Sequence, residues 1–566
     1  MKHSFPALLG ATLALAACTR PQQAQRPVVL APVRVDSGAM AAAAAAAPAR
    51  PATPAMPAVR TTANDPFTTT AKIDWPGPNA FRSASGAPGP QYWQQRADYT
   101  IAATLDTAAR TVSGTVTVRY TNNSPDTLHF VWMQLDQNLY KSGSKGSALF
   151  PADSRWGVRG FEGGYTLSDL TVNGRPVASK VDDTMMRLDL PGAPIAPKGG
   201  KATITMKFSF PVPDHGSDRM GRDSTLYEIA QWYPRMAVYD DVRGWNTDPY
   251  LGQGEFYLEY GDIDYSVTAP AGYVIAGSGV LQNPADVLTA AQRERLARAA
   301  KSSEVVQVIT KDEAKATPTP GTKTWRFRAR NVRDVAWAGA PDFRWDATSW
   351  NGVVTQAYYQ WPKAGPEWET MAEGTQWTIR TYSQLWYSFP YPQATAVAGP
   401  VGGMEYPMFV MDHYTLAEEP GEVFRTNDHE HGHEWFPMIV GSNERRYAWQ
   451  DEGFNTYINA FSQERRYGAD VGKWPAGMDN FPKYVANWRG VHAAGLDVPL
   501  MTAPDHVPAS ALGAIGYRKP DAVRLTLRDG TVREIAARAH VDGDRLVAAV
   551  RRALPALLPE RLMPSA

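Results

Sequence analysis

One stretch carries the clearest chemical signal in this chain: NDHEHGHEWFPMIVGSNERRYAWQDE, residues 427–452. It contains the motif H-E-x-x-H, in which His429 and His433 stand four residues apart. Four steps of a helix make nearly one full turn, so both imidazoles point to the same side and can bind one zinc ion. Glu430 lies one step round the helix, where its carboxylate is free to take a proton from water.

The third protein ligand of such a site is expected at Glu452, which follows His433 after a gap of 18 residues. That gap suits the remainder of one helix, a short loop and the start of a second helix. Two imidazoles and one carboxylate leave the fourth position of a tetrahedral zinc site open, as catalysis requires. A chance coincidence is the alternative, and it is disfavoured because Glu452 is a second requirement beyond the motif.

Two further histidines are not assigned to this site. His431 lies off the face of the helix that carries His429 and His433, so it is predicted to be a histidine on the helix surface. His413 is predicted in a loop or at the end of a strand.

The pattern formed by His429, Glu430, His433 and Glu452 resembles the aminopeptidase N-type zinc metallopeptidases, the gluzincin family that includes leukotriene A4 hydrolase. The resemblance implies a single zinc cofactor, peptide substrates, and a role for Glu430 as the catalytic acid and base. In the family a Tyr beyond the Glu ligand stabilises the oxyanion, and Tyr517 stands at the corresponding distance in this chain.

A second motif upstream, GGMEY at residues 402–406, is similar to the family motif G-x-M-E-N. The resemblance implies that Glu405 binds the free amino terminus of a peptide. Tyr406 stands where the family usually has Asn. The neighbouring residues assigned to substrate binding are Gly402, Gly403 and Met404.

The resemblance also places the loop QWYPRM, residues 231–236, beside the substrate pocket. A second amine-binding group could come from Glu228 or Gln231. An aromatic loop that only packs against the catalytic domain is an equal alternative.

The start of the chain has the pattern of an export signal. Residues 1–18, MKHSFPALLGATLALAAC, combine a short basic start, an apolar run and small residues before a cysteine. LAAC resembles a bacterial lipobox, which implies cleavage before Cys18 and a lipid on its sulfur; an ordinary signal peptide is the alternative. Thr19 rather than Asp after Cys18 favours the outer membrane, with the folded part in the periplasm. Residues 19–65 are rich in Pro and Ala and predict a disordered tether.

The composition of the chain limits the number of domains and the kinds of partner that it can have. The chain has 566 residues, of which 43% are hydrophobic and 11% aromatic, enough for two or three domains with their own cores. Lys plus Arg and Asp plus Glu number 57 each, so the formal net charge is zero and does not favour nucleic acid as a partner. No apolar stretch after the signal reaches the length of a membrane span.

The rest of the chain predicts a multidomain protein. After a lead-in at 66–94, alternating residues at 115–120 and 202–210 and an Asn173-Gly174 turn favour an all-β sandwich or saddle-like domain over 95–345, with a helical insertion near 288–301. Residues 346–520 are expected to form an α+β, thermolysin-like catalytic domain.

Within that domain the sequence predicts four elements, namely a helix over 368–388, strands over 394–411, a zinc helix over 422–440 that breaks near Pro437, and a helix over 449–467. Residues 521–566 are atypical and lack aromatic residues, which indicates a shortened or frame-shifted end or a small β appendage with a hairpin at 523–532.

Three functions remain open on the sequence alone. The first is a lipid-anchored aminopeptidase, and the second is a zinc endopeptidase or other hydrolase on the same scaffold. The third is a surface-tethered interaction protein descended from an enzyme.

Overall fold

The computed structural model describes residues 78–83, 87–149, 161–215, 219–315, 319–414, 421–468, 470 and 481–520. All of them belong to the second of the two units into which the chain divides, residues 66–566. The predicted signal, Cys18, the tether and the segment 521–566 lie outside the described residues.

The described residues contain strands that we number in chain order. They are β1 (Arg96–Asp106), β2 (Thr111–Asn122), β3 (Phe130–Gln134), β4 (Thr166–Val172), β5 (Arg175–Pro176), β6 (Ser179–Asp182), β7 (Met185–Asp189), β8 (Gly200–Pro211), β9 (Gly221–Asp223), β10 (Leu226–Ile229), β11 (Arg235–Met236), β12 (Tyr239–Asp240), β13 (Gly244–Trp245), β14 (Gly261–Pro270), β15 (Val274–Gly277), β16 (Val280–Leu281), β17 (Val306–Ile309), β18 (Thr322–Val332), β19 (Trp337–Ala340), β20 (Phe343–Trp350), β21 (Val353–Gln360), β22 (Gln393–Gly399), β23 (Met404–Tyr406) and β24 (Phe409–His413).

The α-helices are numbered in the same way. They are α1 (Lys145–Leu149), α2 (Pro284–Val287), α3 (Ala290–Ala299), α4 (Met371–Leu385), α5 (Glu422–Gly432), α6 (Phe454–Tyr467), α7 (Phe481–Ala493) and α8 (Ala509–Leu512). Shorter 3-10 turns occupy Asp136–Tyr140, Pro366–Thr370 and Pro504–His506, and π-helical turns occupy Glu434–Ile439, Trp449–Gly453 and Gly513–Arg518.

An eight-stranded sheet with the order β16-β18-β14-β1-β2-β8-β4-β5 dominates the first half of the described chain. In β2, Val116 and Val118 are fully buried, and they face Met206 and Ile204 of the antiparallel neighbour β8. Each fully buried aliphatic side chain of this kind stabilises the fold by about 1.5–3 kcal/mol. The pairing confirms both strands that the alternation predicted.

The turn between β4 and β5 also agrees with the sequence. Asn173 and Gly174 have φ angles of 50° and 74°, the left-handed conformations that a two-residue type I′ hairpin requires. Two four-stranded sheets, β15-β19-β10-β9 and β11-β3-β7-β6, and the ribbon β12-β13 complete this β-rich half.

A six-stranded mixed sheet with the order β17-β20-β21-β22-β24-β23 supports the site. Its strand β20 runs across the domain boundary predicted at 345. At its far edge β23 pairs antiparallel with β24, in the register Glu405 to Val410. This edge strand therefore carries the last three residues of the GGMEY motif directly beside α5, which packs on β24.

Helix α5 lies between α4 and α6. The predicted zinc helix is α-helical only to Gly432, and the π-helical turn that follows contains Phe436 with the extended angles φ −133° and ψ 101°. Pro437 has no N–H to donate and disfavours a helical residue before it, so the break is where the sequence predicts it. No helix among the described residues is long and apolar enough to cross a membrane.

Candidate metal centre

Three donor atoms form a nearly equilateral triangle beside α5. Nε2 of His429 lies 3.1 Å from Oε2 of Glu452 and 3.2 Å from Nε2 of His433, and the third side, from His433 Nε2 to Glu452 Oε2, is 3.3 Å. In a tetrahedral zinc site with bonds of about 2.0–2.1 Å, two donors stand about 3.3 Å apart. The donor set and its spacing therefore fit one zinc ion.

Two helices supply these donors, and glycine allows them to approach each other. A Cβ atom on Gly432 would lie 2.1 Å from Oδ1 of Asn455 on α6. Nδ2 of Asn455 donates a 2.7 Å hydrogen bond to the carbonyl oxygen of His429. This contact fixes the distance between α5 and the helical turn that carries Glu452.

The other ring nitrogen of each histidine is also held. Nδ1 of His429 donates to Oδ1 of Asn459 at 2.7 Å. Nδ1 of His433 lies 2.8 Å from the carbonyl oxygen of Phe436 and 2.8 Å from Oδ1 of Asp451. With the proton on Nδ1, each imidazole presents the Nε2 lone pair to the metal position.

The sequence reasoning missed Asp451 and Asn459 as supporting residues. Asp451 directly precedes Glu452, and Asn459 lies seven residues after Glu452, two turns along on the same side. Their spacing from Glu452 is the sequence pattern that could have identified both residues.

Glu452 is held in its charged form. Burial raises the pKa of its carboxyl group, but the positive charges of His433 and His429, when these rings are protonated in the absence of a metal, outweigh burial and bring this pKa well below its usual value. A deprotonated carboxylate is the form that binds a metal.

The prediction that His431 is a surface histidine is wrong, because its side chain is 0% exposed. Helix α5 is covered by α4 on one side and α6 on the other, so it has no free face at this position. Nδ1 of His431 bonds to the carbonyl oxygen of Asn427 at 3.1 Å, and burial lowers the pKa of His431 to about 4. His431 is therefore a neutral core residue. His413 ends β24, as predicted.

A buried carboxylate ties the three helices together. Oδ1 of Asp428 accepts hydrogen bonds from Thr378 of α4 at 2.9 Å and from Ser462 of α6 at 2.7 Å. Tyr382 donates to Oδ2 of Asp428 at 3.1 Å. These contacts fix the position of α5, from which both imidazoles project.

Glu430 points toward the edge strand. A Cβ atom on Gly403 would lie 2.6 Å from Oε1 of Glu430, and Gly403 has a φ of +127°, which an L side chain rarely adopts. Burial raises the pKa of Glu430 to about 7. A carboxyl group with a pKa near neutrality can both accept and return a proton.

Four carboxylates gather beyond His433 and form what we call the acidic chamber: Glu255, Glu405, Glu444 and Asp451. One oxygen of each lies within 4.8 Å of the others. Glu405 is 4% exposed, and its Oε1 has no hydrogen-bond partner among the described residues. Burial, followed by the charge of Glu255, raises the pKa of Glu405 well above its usual value.

Within the described part of the chain, two of these carboxylates face an arginine. Glu255 contacts Nη1 of Arg219, and Oε1 of Glu444 lies 2.7 Å from Nη1 of Arg333. Glu405 has no arginine beside it among these contacts, in agreement with its raised pKa.

The segment Gly252–Phe256 forms a wall of this chamber, although it has no regular secondary structure. At nearly every residue of this segment, a polar group forms a hydrogen bond with another part of the chain. The contacts are Gly252 O with Arg219 Nη2 at 3.1 Å, Gln253 Nε2 with Val507 O at 2.9 Å, Gly254 N with Asp505 Oδ1 at 2.9 Å, and Phe256 N with Glu444 Oε2 at 3.0 Å. The segment is thus held in place from both sides, and no pattern in its own sequence predicts this.

Tyr517 lies against the ring of His429. Its ring is stacked on the ring of His429, with centroids 5.8 Å apart and planes at 17°. Burial and the nearby Glu452 raise the pKa of its hydroxyl group well above the usual value, so Tyr517 keeps its proton and can donate a hydrogen bond.

A cavity of about 850 Å³ connects these groups and is lined by His429, Glu430, His433, Glu452, Tyr517 and the two glycines Gly402 and Gly403. Met404, predicted to bind substrate, points elsewhere and contacts Nη1 of Arg219 through its sulfur at 2.9 Å.

Glu228 and Gln231 are not among the described residues that line the cavity. Glu228 accepts from the backbone N–H of Val401 at 3.2 Å, and Gln231 donates to the hydroxyl group of Tyr406. The carboxylate that the β-rich half contributes beside Glu405 is that of Glu255 instead.

No protein-family profile and no curated protein matches this sequence. Solved structures do match it. The structural neighbours are M1 zinc metallopeptidases. One crystal structure, of a mutant M1 zinc metallopeptidase from Deinococcus radiodurans, is 16% identical, covers 84% of this chain and 97% of its own, and has a TM-score of 0.49. Another structure of this mutant, bound to a Tyr-Ser-Ala substrate, is 17% identical, covers the same fractions of both chains and has a TM-score of 0.48.

Proposed function

We propose that this chain is a zinc-dependent aminopeptidase that removes residues from the amino ends of peptides. The observation that carries the proposal is that one cavity contains both the donor triangle and, directly beside it, an acidic chamber with an unpaired carboxylate oxygen on Glu405. The triangle suits a hydrolytic metal, and the chamber suits a cationic group next to the cleaved bond.

His429, His433 and Glu452 would hold the zinc ion, which when bound supplies Lewis acidity toward a peptide carbonyl. Glu430 takes the proton of the attacking water and returns it to the leaving amine. Burial favours the protonated form of Glu430, which is the form that returns the proton to the amine. Asp451 and Asn459 keep the imidazoles in the required tautomer. The hydroxyl group of Tyr517 donates a hydrogen bond to the oxyanion that develops on the carbonyl.

The acidic chamber supports exopeptidase rather than endopeptidase activity. A free amino terminus brings one positive charge to Glu405, which burial and the charge of Glu255 otherwise hold in its neutral form. An uncharged, continuing peptide chain brings none, and buried carboxylates without a counter-ion are costly.

The test is hydrolysis of aminoacyl amides by the zinc-loaded protein, compared with the Glu430→Gln variant. We expect activity that is lost with a chelator, returns with zinc, and falls by a factor of about 1,000 or more in the variant. An unchanged rate in the variant would remove the proposed base. Stoichiometric zinc without hydrolysis of any substrate would favour the non-enzymatic interaction protein.

A second comparison separates the two peptidase classes. Peptides with free and with acetylated amino ends are offered side by side. We expect cleavage of the free peptides only, and equal cleavage of both would favour the endopeptidase.

We further propose that Cys18 carries a lipid that anchors the protein in the outer membrane, with the folded part in the periplasm. The support is the LAAC pattern and Thr19. Labelling with a radioactive fatty acid and membrane fractionation test it, with Cys18→Ala as the comparison. Equal labelling of both proteins would contradict the anchor.

A further inference from the structure

The hairpin that carries Glu405 has a strained turn. Tyr406 of β23 pairs with Phe409 of β24, so Pro407 and Met408 alone connect the two strands. A proline followed by a residue with positive φ, here 64° at Met408, is the pattern of a type II turn. Glycine is normal at the second of these positions, because a Cβ atom disfavours the left-handed conformation, and type II turns fit the twist of a hairpin poorly. The turn therefore needs support from outside the hairpin.

Glu434 provides that support. Its Oε1 accepts a 2.5 Å hydrogen bond from the backbone N–H of Met408, a donor that the turn's own hydrogen bond does not use. Met408 and Glu434 are both 1% exposed, and an N–H buried in this way is unfavourable without an acceptor. The carbonyl oxygen of Met408 accepts from the N–H of Thr395 on β22 at 3.1 Å. Both polar backbone groups of the strained residue are thus held by neighbouring elements.

Glu434 also belongs to the segment that holds the metal donors. It directly follows His433 and begins the π-helical turn Glu434–Ile439. Strand β23 contacts both α5 and this π-helical turn. Oε2 of Glu434 has no hydrogen-bond partner in the described part of the chain, so the buried carboxyl group makes its polar contact with Met408. One residue therefore links a metal donor to the turn of the hairpin.

A displacement of β23 would reach the site directly. One ligand atom each of Glu405, Glu430 and His433 lies within 4.8 Å of the others. Glu405 stands three residues before Met408. Without its acceptor, Met408 would relax toward a negative φ, and the end of β23 would move with it. The carboxylate of Glu405 would then lie at a different distance from the metal position.

We propose that Glu434 is a positioning residue, which sets the distance between Glu405 and the metal position through the turn at Met408 and thereby sets the affinity for the amino group of a substrate. This inference rests on the proposed aminopeptidase function. A residue that only stabilised the fold would leave the preference for an amino group unchanged. A positioning residue changes that preference in a folded, zinc-loaded protein.

The experiment measures the amino-group preference with two ligands that differ at one position. Leucine hydroxamate has an amino group, 4-methylpentanohydroxamate has hydrogen in its place, and both can bind zinc through the hydroxamate. For the zinc-loaded wild type, calorimetry should give a Kd at least about tenfold lower for the amine. In Glu434→Met, which removes the acceptor, this ratio should fall about fivefold or more, while the Kd of the ligand without the amine stays nearly unchanged. Glu434→Gln, which keeps an acceptor oxygen, should retain the wild-type ratio.

The matched control is Glu259→Met. It removes the same kind of contact, since the buried carboxyl group of Glu259 accepts a 2.9 Å hydrogen bond from the backbone N–H of Tyr239. This variant should lower the free energy of unfolding and keep the wild-type ratio. Glu434→Asp provides a second test if Glu434→Met does not fold. Its shorter side chain draws the acceptor away from Met408, so the ratio should fall partway.

Hydrolysis of leucine amide gives an independent measurement, in which Glu434→Met should raise KM and leave kcat nearly unchanged. A wild-type ratio of Kd values in Glu434→Met and Glu434→Asp would overturn the inference and leave the aminopeptidase function intact. A ratio near one in the wild type itself would contradict the amino-group site and, with it, both proposals. An equal fall in Glu259→Met would show that lost stability, and not the position of Glu405, changes the preference.

Discussion

Gly403 and Glu430 are packed so closely that a Cβ atom on the glycine would lie 2.6 Å from Oε1 of the carboxylate. The edge strand and the helix of the metal centre therefore meet at the proposed base itself. Any side chain at position 403 must displace Glu430 or the strand.

Gly403→Ala should therefore lower kcat by roughly tenfold to a hundredfold, because a shift of about 1 Å in a reacting group has effects of this size. Zinc content should stay at the wild-type level. Gly402→Ala is the matched comparison, since the nearest atom to its Cβ would be 3.9 Å away, and its effect should be much smaller. Equal losses in both variants would contradict the steric explanation.

Asp451→Ala should weaken zinc binding by about 10–100-fold, because the carboxylate fixes the ring of His433 from 2.8 Å. Asp451→Asn, which keeps an acceptor oxygen, should lose less. Competition with a chromophoric chelator measures both affinities. An affinity unchanged in the alanine variant would show that the carbonyl of Phe436 orients the imidazole alone.

Tyr517→Phe should reduce kcat by about a hundredfold or more and leave KM and zinc content nearly unchanged, since the hydroxyl group acts on charge that develops during the reaction. The phenylalanine ring can keep the stacking on His429. A change in KM alone would instead indicate that Tyr517 binds the ground state of the substrate.

The buried carboxyl group of Glu259 makes the stability of the fold depend on pH. Burial raises the pKa of Glu259 to about 8, while the unfolded chain titrates near the ordinary value of 4.5. The folded state therefore binds more protons between these values. The stabilising contribution is complete below pH 4.5 and is lost as the pH rises through 8, at up to about 1.4 kcal/mol per pH unit.

Glu259→Gln should flatten this decline, because the amide oxygen can still accept the 2.9 Å hydrogen bond from the backbone N–H of Tyr239. Urea unfolding between pH 5 and 9 measures the free energy of unfolding. Glu294→Gln on the exposed side of α3 is the control and should leave the slope unchanged. A slope that is identical in wild type and Glu259→Gln would assign the titration to other groups.

Sequence reasoning succeeded where the relevant spacing is local. His429 and His433 are set by one helical turn, and the break before Pro437 follows from the chemistry of proline. The pairing of β2 with β8 follows from alternation along each strand. Tyr517 required the family resemblance, because nothing in its own neighbourhood distinguishes it from a packing residue.

The residues that were predicted wrongly or missed are those whose surroundings depend on contacts between distant parts of the chain. His431 was assigned to a surface because the sequence cannot show that α4 and α6 cover both flanks of α5. Glu255 and Arg219 were missed because they reach the cavity from irregular segments, where no periodicity indicates direction. Their role depends on contacts with residues about 200 positions later, such as Met404 at 2.9 Å from Arg219.

Residues 252–256, which form a wall of the acidic chamber, determine which fragments of this protein can keep the complete site. A fragment beginning at residue 346 would retain every donor to the metal, along with Glu430 and Tyr517. It would lose Glu255, Arg219 and Arg333. It would also lose the backbone N–H of Phe256, which donates a hydrogen bond to Glu444. If the proposed function is correct, such a fragment could hold its ion but would meet the amino end of a peptide with three of the four chamber carboxylates and with neither of the arginines that face them.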